Sequence, residues 1–198
     1  MKLSLLLSFV MIIVGCAKTD DGGPRGPNDV FNEFDSITLS EDSQLLLGKW
    51  NLESFNYSGQ SITEIFGVSS SSTFTGVGKD INSSLTFTAD NIITAEGGYT
   101  IELTTAFEGT ESSSDIPVGP FNTSGTWVKI SNTLTTDVTI TANNSISGDL
   151  STEETSIIEE LTDTTLRLRS LQSIETLLPT GGSVTTTTNS VLVYKRAI

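Results

Sequence analysis

The side chains best equipped for chemistry in this 198-residue sequence are carboxylates, and many fall in adjacent pairs: Asp20-Asp21, Glu41-Asp42, Glu153-Glu154 and Glu159-Glu160. Glycoside hydrolysis needs two carboxyl groups facing each other across a substrate, one in an apolar setting that raises its pKa. Neighbours along a strand point to opposite faces, so adjacent pairs do not supply that geometry and read as solvated surface charge. Glu108, Glu111 and Asp115 are oxygen ligands of the kind calcium takes, but without EF-hand spacing, and no metal site is assigned. Histidine is absent and Cys16 is the sole cysteine. The usual general base at neutral pH and the commonest transition-metal ligand are therefore both missing. With the one thiol committed elsewhere, Ser–His–Asp, Cys–His and zinc chemistry are removed. The glycine-rich pieces lack the strand-to-helix setting of a phosphate loop. No catalytic residue and no cofactor is expected, and the chain reads as not an enzyme.

Cys16 has a different context. Lys2 precedes an apolar run from Leu3 to Val14, broken only by Ser4 and Ser8, and Ile13-Val14-Gly15-Cys16 closes it. A basic start, a short apolar core and a small residue before the cut describe a secretory signal peptide, and the core is too short to span a bilayer. The ending resembles a bacterial lipobox. That resemblance implies a diacylglycerol on the Cys16 sulfur, cleavage after Gly15 and acylation of the new amino terminus. An ordinary secretory signal with an incidental cysteine is the alternative. Acyl chains contribute ~0.8 kcal/mol per buried methylene, so two or three of them attach a protein durably to a membrane. The formal net charge is −14, and loss of Lys2 makes the mature body more negative still. Such a surface repels phosphate backbones, so nucleic acid is excluded as a partner.

The organisation follows. Residues 1–15 are the signal peptide. Residues 16–44 hold the lipidated cysteine, an acidic tether rich in Gly and Pro, and a short helical lead-in with Ser40 as N-cap. Residues 45–198 form one domain, dominated by period-two patterning. Leu85, Phe87 and Ala89 alternate with threonine and aspartate; Tyr99, Ile101 and Leu103 alternate with threonine and glutamate. Leu134, Val138 and Ile140 share one parity, and Leu166 and Leu168 alternate with Thr165, Arg167 and Arg169. Half-buried antiparallel strands have this signature. About eight to ten strands are predicted between turn signals such as Asp90-Asn91, Ser131-Asn132, Asn143-Asn144 and Thr162-Asp163-Thr164. Ile92–Ala95 and Tyr99–Ala106 are either one strand or a hairpin. Ser58 to Lys79 and Phe107 to Ser124 read as two long loops. An antiparallel up-and-down β-barrel is expected, with a β-sandwich as the alternative.

Leu47-Gly48-Lys49-Trp50 after the helical lead-in, with Tyr194-Lys195-Arg196 at the close, resembles the lipocalins. The resemblance is closer to lipocalin-like lipoproteins of the Bacteroidetes, through Leu46–Trp50, Leu85–Asp90, Gly125–Trp127, Leu161–Leu166 and Tyr194–Arg196 in order. It spans nearly the whole domain, although the Thr-Asp-Tyr turn of animal lipocalins is absent. The likeness implies that Trp50 plugs one end of the barrel, Gly48 admits close backbone approach, and Arg196 stacks over the indole. Trp50 and Trp127 read as core packing rather than ligand contacts. Lys18 with Asp20 and Asp21 resembles a surface-export signal, which implies an outer-membrane lipoprotein facing the cell surface; the periplasmic side is the alternative.

Two functions are expected in competition. One is a carrier or sensor that takes a small hydrophobic ligand into a lumen of Trp50, Leu52, Leu85, Phe87, Ile101, Leu103, Val138, Ile140, Leu166 and Leu168. The other is a filled barrel that binds an envelope protein or a surface glycan through its long loops.

Overall fold

The computed structural model describes residues 41–140, 150–179 and 181–198. Cys16, the tether, Ser40 and the Asn143-Asn144 turn signal lie outside the described residues. A one-turn helix, α1 (Glu41–Gln44), leads into eight strands: β1 (Gly48–Ile65), β2 (Val68–Phe87), β3 (Ile92–Phe107), β4 (Thr110–Ile130), β5 (Thr133–Ile140), β6 (Leu150–Leu161), β7 (Thr165–Leu177) and β8 (Ser183–Arg196). Each strand pairs antiparallel with the next, and β1 pairs with β8, so the sheet closes on itself as a barrel. That closure decides between barrel and sandwich. An eight-stranded barrel has an interior wide enough to be filled by side chains or to hold one small ligand.

The two stretches expected as loops are strand. Ser58 to Lys79 forms the upper parts of β1 and β2, joined by a tight turn at Phe66-Gly67, with pairs running from Ser58↔Thr75 to Ile65↔Val68. Phe107 to Ser124 completes β3 and supplies most of β4, around a turn at Glu108-Gly109. Their Ser- and Thr-rich composition erased the apolar–polar alternation, although threonine favours strands and ladder hydrogen bonds do not depend on side chains. Pro120 adds to the disguise; it falls where the β3–β4 register shifts between Gly97 and Tyr99. Ile92–Ala95 and Tyr99–Ala106 belong to one strand, β3, which carries that irregularity.

Register assigns the faces, because residues directly opposite in a ladder share one. Trp50 opposes Leu85, Phe87 opposes Ile93, Gly125 opposes Val138, and Leu166 opposes Tyr194, all toward the interior. The outer wall carries ion pairs, among them Lys49–Glu96 at 2.6 Å and Arg167–Glu159 at 2.8 Å. Lys79 bridges Glu102 and Asp115 at 3.0 and 3.6 Å, so Asp115 serves a cross-strand ion pair rather than an acidic loop. The barrel ends differ. One holds α1, the short turns β2–β3, β4–β5 and β6–β7, and the end of β8. The other holds the hairpin tips β1–β2, β3–β4 and β7–β8.

Candidate functional site: the barrel interior

The end that holds α1 is sealed. Leu46, Trp50, Phe87, Trp127, Leu134 and Leu166 have almost no accessible surface. Phe87 and Trp127 meet edge to face with ring centroids 5.6 Å apart, a geometry suited to the ring quadrupole. Both indoles find acceptors: Trp50 Nε1 donates to the Leu46 carbonyl at 2.8 Å and Trp127 Nε1 to the Thr88 carbonyl at 3.2 Å. Arg196 lies over Trp50, its guanidinium carbon 4.2 Å from the ring centroid. The same guanidinium donates to the carbonyls of Leu45, Leu47 and Asp163, and so ties α1, the β6–β7 turn and the end of β8 together. Gly48, opposite Phe87, has φ +112°, and a Cβ there would stand 3.1 Å from Arg196 Nη1. Gly48, Trp50 and Arg196 thus form one structural unit at the base.

Above the base the interior changes character. Leu52, Leu103 and Leu168 are buried on the inner face. Leu85, Ile101 and Val138 also face inward but are only half-buried. Ile140 closes β5 opposite Leu150, and its side chain lies outside the described residues. The largest contributors are aromatics that sequence reasoning did not place in the lumen. Phe55 stacks on Tyr57 (5.5 Å) and meets Tyr99 (5.4 Å); Tyr57 meets Phe74 (5.9 Å), and Tyr99 meets Phe121 (6.1 Å). These five rings form a continuous aromatic wall over β1 to β4. Phe55 and Tyr57 escaped the alternation rule because β1 bulges between Leu52 and Ser54. A bulge switches parity, so inward residues pass from even numbers (Trp50, Leu52) to odd (Phe55, Tyr57).

Across from this wall stands a carboxylate. Glu154 opposes Thr136, which opposes Trp127, and it shares parity with the buried Ser156 and Ile158. Glu154 therefore points into the barrel, and only Glu153 of that pair faces out. Glu154 is exposed, as solvated charge is, but strand alternation that separates neighbours turns it to the inner face. The shared parity of Glu154, Ser156 and Ile158 was the available signal. Burial raises the Glu154 carboxyl above its ordinary range, opposed in part by a hydrogen bond from Ser170. Its side chain is nonetheless solvent-exposed. Burial first, then the Glu154 charge, pushes the phenols of Tyr99 and Tyr194 up, Tyr194 furthest. Tyr57 is raised by burial and by Tyr99. Among the described residues no basic side chain pairs with Glu154, and no cluster of acidic, histidine or cysteine groups suits a metal ion.

Two surface depressions of about 260 and 300 Å³ sit on the outer wall. The first is lined by outward residues such as Asn56, Thr75, Val77 and Asn189, the second by Lys49, Asn51, Ser84 and Glu96. The first also touches Tyr57, a ring of the aromatic wall.

No family model matches the chain, and no curated protein matches it in sequence. Among solved structures it is similar to a polyisoprenoid binding domain from Saccharophagus degradans implicated in plant cell wall breakdown. The identity is 12%, the match covers 76% of this chain and 99% of that one, and the TM-score is 0.32. The fold assignment rests on the strand pairing of this chain.

Proposed function

We propose that this chain is a lipid-anchored lipoprotein of the outer membrane, surface-facing and lipocalin-like, whose barrel binds a small hydrophobic ligand above its sealed base. One observation carries the reading: Tyr57, Tyr99, Ile101, Val138 and Leu192 face inward and keep accessible surface beside the buried Phe55, Phe74 and Leu103, while the base layer keeps almost none. A barrel packed solid throughout would bury both layers alike. Apolar walls with few polar groups are typical of small-ligand sites. Filling the space tests the reading. An environment-sensitive apolar dye should bind the wild-type barrel, and Ile101→Trp should weaken it about tenfold while leaving the base, and hence the fold, intact. Equal dye binding by both proteins, at matched stability, would count against a lumen site.

A second reading, contact with an envelope protein or a surface glycan, is favoured by the apolar tips at the open end. Phe66 is 85% exposed, Leu177 78% and Val68 71%, and Phe107 stands at the neighbouring tip. Phe66 also adopts φ +52°, a conformation a bulky side chain rarely takes, on a fully solvated turn. Hairpin tips, not long loops, would then make the contact.

A further inference from the structure

Charge inside a barrel is costly unless something answers it. Glu154 is the one inward carboxylate among the described residues, and it accepts a hydrogen bond from a neutral hydroxyl, Ser170 on β7. Facing it are Thr136 on β5, Tyr194 on β8 and Tyr99 on β3, none of them basic. The inward-directed arginine, Arg196, is engaged at the base with Trp50 and three carbonyls. We propose that Glu154, set across the lumen from the rings of Phe55, Tyr57 and Tyr99, receives the ammonium group of a small cationic amphiphile whose apolar body lies along that aromatic wall. This rests on reading the lumen as the ligand site.

Three physical arguments converge. A cation would pair with an inward-facing carboxylate that no basic side chain answers among the described residues, and charge-assisted hydrogen bonds are stronger than neutral ones. Aromatic faces are negative and attract cations, the more so when desolvated. A fatty carboxylate would meet like charge both at Glu154 and in the field of a chain with net charge −14.

The test uses three decyl compounds that share one tail, decylammonium, decanol and decanoate, below their micelle concentrations at pH 7.5. Each is titrated calorimetrically into the full mature chain carrying Cys16→Ser, so that no detergent competes. Decylammonium should bind at least about tenfold more tightly than decanol (1.4 kcal/mol), with decanoate weakest. Glu154→Gln should remove that preference and leave decanol within about threefold. This variant is expected to fold. Raising an acid's pKa in the folded state means that the carboxylate form is penalised, so the Glu154 contribution to stability falls as pH rises through the carboxyl range, and the glutamine lacks that contribution. If Glu154→Gln fails to fold nonetheless, Tyr99→Leu should reduce the ammonium preference several-fold. Decanoate binding as well as decylammonium, or an ammonium preference that survives both substitutions, overturns the head-group assignment while leaving the lumen site standing. Failure of all three compounds to bind wild type overturns the lumen site and the assignment with it.

Discussion

Arg196 does at residue scale what a disulfide would do in a chain with a second cysteine: it ties three parts of the sequence into one closure. The stack on Trp50 contributes on the order of 0.5–2 kcal/mol, and each charge-assisted hydrogen bond to a carbonyl about 1.5–3 kcal/mol when its loss strands a polar group. These terms overlap, and Arg196→Ala is expected to destabilise the barrel by about 2–4 kcal/mol in urea unfolding. Arg196→Lys should recover less than half of that, because an ammonium cannot present the planar fork that reaches Leu45, Leu47 and Asp163 while lying flat on an indole. A loss under about 0.5 kcal/mol for the alanine variant would mean that Trp50 closes the base unaided. Glycine at 48 and tryptophan at 50 were legible in the sequence because their types and spacing are unusual. Glu154 was not, because an acid beside another acid looks like surface until strand parity is counted through Ser156 and Ile158.

At the scale of elements, the β1–β2 ribbon is shaped by rings laid over glycines. A Cβ at Gly76 would fall 2.1 Å from the Tyr57 ring, and one at Gly59 would fall 2.2 Å from Phe74 and 2.3 Å from the Thr187 carbonyl oxygen. Gly76→Ala should cost about 1–3 kcal/mol by overpacking, and Gly59→Ala more, since a backbone oxygen cannot rotate away as a ring can. Introduced into Tyr57→Ala, the Gly76→Ala change should lose most of its cost, a coupling that a double-mutant cycle measures. Additive effects would place the strain in the backbone and not at the ring. The same ribbon shows why half the sheet escaped a reading by alternation. Below Ser58 one face is apolar and period two is visible. Above it Ser61 and Thr186 share the interior through a 3.2 Å hydroxyl contact, so both faces are polar and the strand looks like a loop. Closure into a ring was also beyond periodicity, since it depends on β1 finding β8 across 130 or so residues of chain.

On the scale of the whole molecule, the proposed anchor and the proposed ligand site fall at opposite ends. The described residues begin with α1 at the sealed base, and the proposed mouth lies at the far hairpins. Membrane attachment and ligand binding should therefore separate cleanly. Cys16→Ser removes the sulfur on which the diacylglycerol would sit, and with it ~0.8 kcal/mol for every methylene that the bilayer would have covered. Charge does not replace that energy: the net charge is strongly negative, and anionic headgroups repel it. The variant should consequently move from the membrane fraction to the soluble fraction on sedimentation of cell envelopes. Its melting temperature and its affinity for a lumen probe should match those of lipidated protein released in mild detergent, because the base is closed by residues of the described barrel, Leu46, Trp50 and Arg196. Continued sedimentation with membranes would relocate the attachment to the exposed tips at Phe66, Val68 and Leu177, and would recast the open end as a membrane-facing surface rather than a mouth turned away from it.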